Sequence, residues 1–243
     1  MNYIKPTIIE ALCEFRFASS EDWDSTIYGE LWNLIKDKYP KKEERKQMSL
    51  GFQIGPNGQQ GSSEISESAH MLFKSSDDKS LVQLQSNLLT VNVLCPYSGW
   101  DSFKPKINSA FDKFSSLGDF RLQRIGLRYI NRLPKVDENR DYSKWLSQSP
   151  YVSEVVLKCK EGQGVNSRVS VPVDGNRISV TVSTELPNGG DLFVDIDSSC
   201  DSFSTSETSD VGELLESLHY NLIEAYESLI TGDLRDEMGV KDV

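Results

Sequence analysis

The chain has 243 residues, a formal net charge of −11 at pH 7 and an ordinary share of apolar and charged residues. A chain of this length forms one large or two small domains with a substantial hydrophobic core. The negative charge argues against non-specific binding to nucleic acid or to an anionic membrane, because both need a positive electrostatic field.

The N-terminal sequence MNYIKPTIIEALCEF lacks the pattern of a signal peptide. No apolar run reaches the roughly 18 residues that a membrane-spanning helix needs. We therefore expect a cytoplasmic location. The cysteines lie far apart in the sequence, and a cytosol would keep such thiols reduced.

The first half of the chain reads as a strand, a helix, four strands and a second helix. Apolar and polar residues alternate over 8–17 (IIEALCEFRF), which is typical of a strand with one buried face. A helical pattern follows from Trp23 to Ile35, and the charged run KKEERKQ after it is predicted to be a solvated loop. A second helix is predicted from about Ser102 to Leu117. The four strands between the helices are predicted at 49–54, 69–75, 80–86 and 88–94.

The second half repeats this order. The alternating segment RIGLRYINRL predicts an opening strand, and there is room for a short helix from Tyr142 to Leu146. A long helix is predicted at about 211–230, with Asp210 and Glu213 in a D-x-x-E capping arrangement at its start. The strands between these helices are predicted at 153–160, 166–173, 177–185 and 191–197.

This repeated order predicts an internal duplication, with one β-α-β4-α unit in residues 1–118 and a second in residues 119–243. Such units pack as a curved antiparallel sheet with helices on one face, which is an α+β fold. The element order is similar to that of TATA-binding-protein-like and helix-grip folds, a similarity of topology that implies no DNA binding. If the two opening strands lie side by side, both units share one continuous sheet.

Three segments together resemble a known family: PTIIEALCEFRF at the start, RIGLRYINRL in the middle and a terminal LIT…LR…G pattern. The family is sporadically distributed among prokaryotes, functionally uncharacterised and of about this chain length. Its members carry no assigned catalytic residues, so the resemblance implies no active site. Their patchy distribution is similar to that of defence-associated genes and toxin–antitoxin pairs, which implies a protein partner encoded by an adjacent gene.

The RIGLRYINRL strand carries three arginines on one face. Arg124, Arg128 and Arg132 are separated by even numbers of residues and therefore point the same way. Glu10 and Glu14 have the equivalent position on the first strand, so they would face the arginines in pairs that contribute about 0.2–1 kcal/mol each. Two interpretations stay open. The arginines form structural charge pairs, or their planar forks bind phosphate or carboxylate groups of a ligand or partner.

The densest carboxylate cluster is Asp191, Asp195 and Asp197, which alternation places on one face of another strand. Such a cluster can hold a divalent metal, as in two-metal nucleases. However, no Glu/Asp-x-Lys nuclease signature accompanies it, and carboxylates along one strand are also typical of a solvated sheet edge. We therefore predict no bound metal and keep a metal-dependent nuclease as a second alternative.

Other catalytic motifs are missing from the sequence. It contains two histidines and no G-x-S-x-G elbow, and neither a phosphate-binding loop nor a dinucleotide fingerprint is present. We therefore expect no cofactor and no enzymatic activity. Trp100 lies near a predicted helix end, where an exposed tryptophan could anchor a partner.

These observations predict an acidic, non-enzymatic binding protein that recognises another protein, as an antitoxin or as a subunit of an anti-phage defence complex. The alternative is a sensor of an anionic small ligand or nucleotide that uses the face of Arg124, Arg128 and Arg132. Nucleic acid and membrane are not expected as partners, and the sequence is compatible with a homodimer.

Overall fold

A computed structural model describes residues 3–18, 23–52, 63–134, 142–159, 164–184, 191–201 and 211–240. Parts of predicted elements beyond these ranges, among them Asp210, lie outside the described residues. Helices and strands follow in the order β1 (Ile8–Phe17), α1 (Thr26–Ile35), β2 (Lys41–Phe52), β3 (Ser63–Lys74), β4 (Ser80–Gln85), β5 (Leu88–Leu94), α2 (Trp100–Ser115), β6 (Leu122–Arg132), a 3-10 turn (Tyr142–Lys144), α3 (Glu154–Leu157), β7 (Asn166–Val173), β8 (Asn176–Thr184), β9 (Leu192–Cys200), α4 (Val211–Leu229) and α5 (Gly232–Met238).

The described strands form one antiparallel nine-stranded sheet in the order β2-β3-β4-β5-β1-β6-β9-β8-β7. The predicted α+β class with an antiparallel sheet is therefore confirmed. The opening strands β1 and β6 lie side by side in the middle, where Cys13 pairs with Leu127 and Glu14 pairs with Gly126. Among the described residues, no helix has the length and hydropathy that crossing a bilayer requires.

One face of this sheet carries the hydrophobic core. Ala11, Cys13 and Phe15 of β1 are fully buried there, because alternate residues of a strand point to the same face. Phe15 stacks on Phe111 of α2 with ring centroids 4.5 Å apart. The buried side chains of the described helices join the same cluster, so the helices lie on this face.

Two segments differ from the sequence-based predictions. Residues 153–160 were predicted as a strand, but they contain the helix α3, so the described part of the second half has three strands between its helices and not four. Within α3, Val156 is buried in the core, whereas its neighbour Val155 is 75% exposed. The β-α-β4-α description is therefore wrong for this half.

The run KKEERKQ is not a loop but the first part of β2. The side chains of Lys41, Lys42, Glu43 and Arg45 in this run find partners. The Lys42 ammonium lies over the ring of Trp32 on the helix side, and Glu43 forms an ion pair with Lys74 on the other side. Pairing of this kind offsets the poor strand propensity of charged residues.

The packing of α4 leads to a prediction about stability. Leu218 is fully buried against the sheet, whereas Tyr220 on the same helix is 64% exposed. We expect Leu218→Ala to lower the free energy of unfolding by about 2–5 kcal/mol, because it removes core contacts and leaves a cavity. Tyr220→Ala should change it by no more than about 0.5 kcal/mol. Urea unfolding followed by circular dichroism measures both, and equal effects would contradict this packing.

Candidate functional site

The face of the sheet opposite the core is polar. Between the register shifts of this strand pair, even-numbered residues point to it, from Glu10 to Arg16 of β1 and from Arg124 to Arg132 of β6. In the described part of the chain, the buried apolar side chains of the helices all belong to the core on the other side. This helix-free side is called the open face below.

A network of ion pairs covers the centre of the open face. Arg16 and Arg124 lie directly opposite each other, and the carboxylate of Glu14 bridges them. Its Oε1 accepts hydrogen bonds from Arg16 Nε at 2.6 Å and from Arg124 Nη1 at 2.9 Å. Glu10 has a different partner, because its Oε1 accepts a hydrogen bond from Asn92 Nδ2 at 2.6 Å. The sequence therefore placed both glutamates on the correct face, but only Glu14 makes a direct ion pair with an arginine of β6 among the described residues.

The aspartates of β9 are the main partners of the β6 arginines. Arg124 Nη2 donates to Asp197 Oδ2 at 2.6 Å. Arg128 binds Asp195 with two hydrogen bonds, of which the one from Nε to Oδ1 measures 2.7 Å. These two clusters, which the sequence presented as separate candidate sites, thus form one network, since β6 and β9 are neighbouring strands.

The last arginine of the row is held more loosely. Arg132 Nη1 lies 3.8 Å from Asp191 Oδ2, and its side chain is 55% exposed. This distance is too long for a hydrogen bond. Within the described ranges, no group of three or more His, Cys, Asp or Glu side chains is placed to hold a metal. The aspartates instead face guanidinium groups.

The charges of the open face lie in two layers. The side chains of Glu14, Asp195 and Asp197 are only 19–22% exposed, whereas those of Arg16 and Arg128 are 55% and 43% exposed. The inner layer therefore consists of these carboxylates and Arg124, which is itself only 20% exposed, and the outer layer consists of the guanidinium groups of Arg16, Arg128 and Arg132. An otherwise acidic protein presents arginines to solvent on this face.

The arginines converge on a depression of about 290 Å³. Arg16, Arg124 and Arg128 line it, together with the exposed Arg168 of β7. Arg168 is a residue that the sequence analysis missed. The sequence around Arg168 gave little indication of this role. β7 pairs with β8, and only the order of strands in the sheet brings Arg168 near the arginines of β6.

Burial of the inner carboxylates affects their protonation. Burial raises the pKa of Asp197, and the nearby Arg124 and Arg128 only partly offset this effect. The hydrogen bonds that Arg128 donates to Asp195 favour the charged guanidinium and raise the pKa of Arg128. Arg128 therefore stays charged, whereas burial opposes the charged form of the Asp197 carboxylate.

Gly126 makes room for this arrangement. A Cβ atom at this position would lie 2.9 Å from Arg124 Cζ, which is well inside van der Waals distance. The absence of a side chain lets the Arg124 guanidinium lie along β6, between Glu14 on one neighbouring strand and Asp197 on the other.

Trp100 does not lie on the open face. It is the first residue of α2 and follows Gly99, whose φ of 97° is a conformation that glycine adopts readily. Its ring stacks on His219 of α4 with centroids 4.2 Å apart and planes 4° apart, and its Nε1 donates to Glu216 at 3.1 Å. The structure thus separates Trp100 from the arginines and packs it against α4.

No protein-family model matches the chain, and no curated protein matches it significantly. The family resemblance inferred from the sequence therefore stays a prediction.

The contact between Gly126 and Arg124 predicts an energetic coupling. Gly126→Ala should lower the free energy of unfolding, because the new methyl group displaces the guanidinium from its carboxylates. The same substitution in an Arg124→Ala background should cost less, since nothing remains to be displaced. We expect a coupling energy of about 0.5–3 kcal/mol in a double-mutant cycle measured by urea unfolding. Equal costs in both backgrounds would show that Arg124 does not lie over Gly126.

His219 predicts a dependence of stability on pH. Burial lowers its pKa from 6.5 to about 4, while Glu216 and Asp101 act weakly in the opposite direction. The unfolded chain therefore binds a proton before the folded protein does, and stability should be lost as pH falls from about 6.5 to about 4.

A His219→Phe variant isolates this contribution, because it keeps a ring against Trp100 but cannot be protonated. Urea unfolding at several pH values in this window measures both proteins. We expect the wild type to lose stability relative to the variant as the pH is lowered. A constant difference between the two would contradict a neutral, buried His219.

Proposed function

We propose that this protein is a non-enzymatic binding protein whose open face recognises an acidic segment of another protein. The observation that carries the proposal is the outer layer of guanidinium groups on a chain with a net charge of −11. Complementary charge of this kind favours one class of partner and speeds its association.

The inner carboxylates support this role because they hold the arginines in place. Both oxygens of Asp195 accept hydrogen bonds from Arg128, which fixes the plane of the guanidinium. A guanidinium has five N–H donors, so donors remain for a partner carboxylate. A side chain that is already ordered loses less conformational entropy on binding.

The length of the arginine row favours a protein segment over a small ligand. Arg124 and Arg132 are eight residues apart on one strand, which corresponds to about 26 Å at the usual rise per residue. Carboxylates along an extended or helical segment can contact such a row at several points. The family resemblance adds the proposal that this partner is encoded by an adjacent gene of a toxin–antitoxin or defence locus.

An anionic small ligand is the second candidate, favoured by the depression that Arg16, Arg124, Arg128 and Arg168 line. Arginine forks match phosphate and carboxylate groups in geometry. A ligand there would use one end of the row, around Arg124 and Arg128, and would leave Arg132 outside the depression.

We also propose that the chain arose by internal duplication, as a TATA-binding-protein-like or helix-grip-like arrangement. The order of strands on the two sides of the central pair supports this. Outward from β1 the sheet continues with β5, β4 and β3, and outward from β6 it continues with β9, β8 and β7. β2 has no counterpart among the described strands, since α3 precedes β7 in the chain of the second half.

Binding assays with charge-reversed variants test the main proposal. The purified product of the adjacent gene would be titrated into the wild type, Arg132→Glu and Arg168→Glu. Each substitution should weaken binding at least about tenfold, a loss of about 1.4 kcal/mol, and raised salt should weaken wild-type binding. Arg132 is suited to this test because its contact with Asp191 is loose, so its replacement should leave the fold intact.

Lys158→Glu is the matched control, because it makes the same charge change at an exposed site on the α3 end of the molecule. It should bind as the wild type does. Equal binding by all three variants would overturn the proposal. Binding of inorganic phosphate that is lost in Arg168→Glu but kept in Arg132→Glu would instead support the small-anion alternative.

A further inference from the structure

A second cavity lies on the core side of the sheet, with a volume of about 200 Å³. It is bordered by β1, β6, the segment before α2, and the helices α4 and α5. Aromatic and polar side chains line most of it, among them Tyr97, Trp100, Tyr129, Asn131, His219 and Tyr226. The cavity is partly open to solvent, so a molecule from solution can reach these side chains.

Hydroxyl groups in this cavity are arranged in two short networks. The hydroxyls of Tyr97 and Tyr129 lie 2.7 Å apart. Since one of them donates to the other, the second hydroxyl keeps its proton for a further acceptor. Thr7 Oγ1 donates to Asn131 Oδ1 at 3.0 Å and also forms a hydrogen bond with the Tyr226 hydroxyl, with the two oxygens 2.6 Å apart.

His219 adds a further polar group at the cavity wall. One face of its ring is covered by Trp100, and Tyr129 lies nearby at 6.1 Å between ring centroids. Burial lowers its pKa to about 4, so at neutral pH it offers one N–H donor and one nitrogen acceptor.

The charges around the cavity argue against an ionic ligand. Within the described residues, no lysine or arginine lines it. The carboxylate that borders it, Glu227, already accepts hydrogen bonds from the Tyr3 hydroxyl at 2.6 Å and from Arg235 Nε at 3.0 Å. An added anion would be repelled there, and an added cation would have to compete with Arg235.

We propose that this cavity binds a small, uncharged molecule with one aromatic or heteroaromatic ring and a hydrogen-bonding substituent. The volume exceeds the roughly 150 Å³ of an engineered cavity that binds benzene, so a single substituted ring fits. Aromatic walls favour offset-stacked or edge-to-face contacts with such a ring. The free proton of the Tyr97–Tyr129 pair and the His219 nitrogens provide donors and an acceptor for its substituent.

This site is independent of the proposed protein-binding face. Alternate residues of β6 point to opposite sides of the sheet, so Tyr129 borders the cavity while its neighbour Arg128 lies on the open face. Variants can therefore change one site without touching the side chains of the other.

Titration with simple aromatic probes tests the inference. Benzamide and phenol carry a single ring with a neutral hydrogen-bonding group, and benzoate carries the same ring with a negative charge. Isothermal titration calorimetry of the full chain should show saturable binding of benzamide or phenol and none of benzoate. The thermal unfolding midpoint should rise with the concentration of the bound probe.

Two cavity variants and two controls complete the experiment. Tyr97→Phe keeps the ring but removes a hydroxyl, and should weaken probe binding by about tenfold, the effect of one lost hydrogen bond. Ile223→Trp should fill the cavity and abolish binding, with an unchanged circular dichroism spectrum as the check of its fold. Tyr220→Phe makes the same change as Tyr97→Phe at an exposed position of α4 and should bind normally.

Arg132→Glu is the second control and should also bind the probes normally, which separates this site from the open face. No binding of any neutral probe at millimolar concentration would overturn the inference. Unchanged binding by both Tyr97→Phe and Ile223→Trp would overturn it as well, because the probe would then occupy another place.

Discussion

β1 and β6 pair in antiparallel register along most of their length, and both faces of the sheet are built outward from that pair. Side chains alternate along each strand, so this register places Cys13 and Leu127 in the core and Glu14 on the open face. A shift of one residue would move every charged side chain of one strand into the core. Ladders with β5 and β9 hold the outer edges of the pair, which prevents such a shift.

The charge network on the open face is better understood as a device for ordering arginines than as a source of stability. Partly buried carboxylates lose hydration, and in Asp197 this loss outweighs the attraction of two nearby guanidinium groups, since its pKa is raised. Ion pairs of this kind are often close to neutral in their net contribution to folding. What they do supply is a fixed geometry, because the inner carboxylates hold most of the outer guanidinium groups in one orientation.

The sequence predicted those features that depend on local periodicity. The alternation in β1 and β6 and the apolar stripes of α2 and α4 assigned residues to the correct faces, including the arginines. The prediction was wrong for α3, because a segment of only four residues fits the periodicity of a strand as well as that of a helix. It was also wrong for the start of β2, where partners distant in the sequence compensate the charged side chains. The link between Arg128 and Asp195 could not be predicted, because it depends on β9 lying beside β6. The cavity could not be predicted from the sequence either, because Thr7, Tyr97 and His219 come together only when the helices pack on the sheet.

The two candidate sites lie back to back on the same central strands, and this arrangement limits how they can influence each other. Any thermodynamic coupling is reciprocal, so a ligand in the cavity would change partner affinity by the factor with which the partner changes ligand affinity. Coupling needs a structural element that has two alternative conformations, whose equilibrium both sites can shift.

β6 is hydrogen-bonded along both edges and packed by α4, which leaves little room for a second conformation. The helical wall of the cavity is freer to adjust, because it is held by side-chain contacts such as the stack of Trp100 on His219. A cavity ligand would therefore act first on the position of α2 relative to α4, and the open face would be affected only through strands that resist movement.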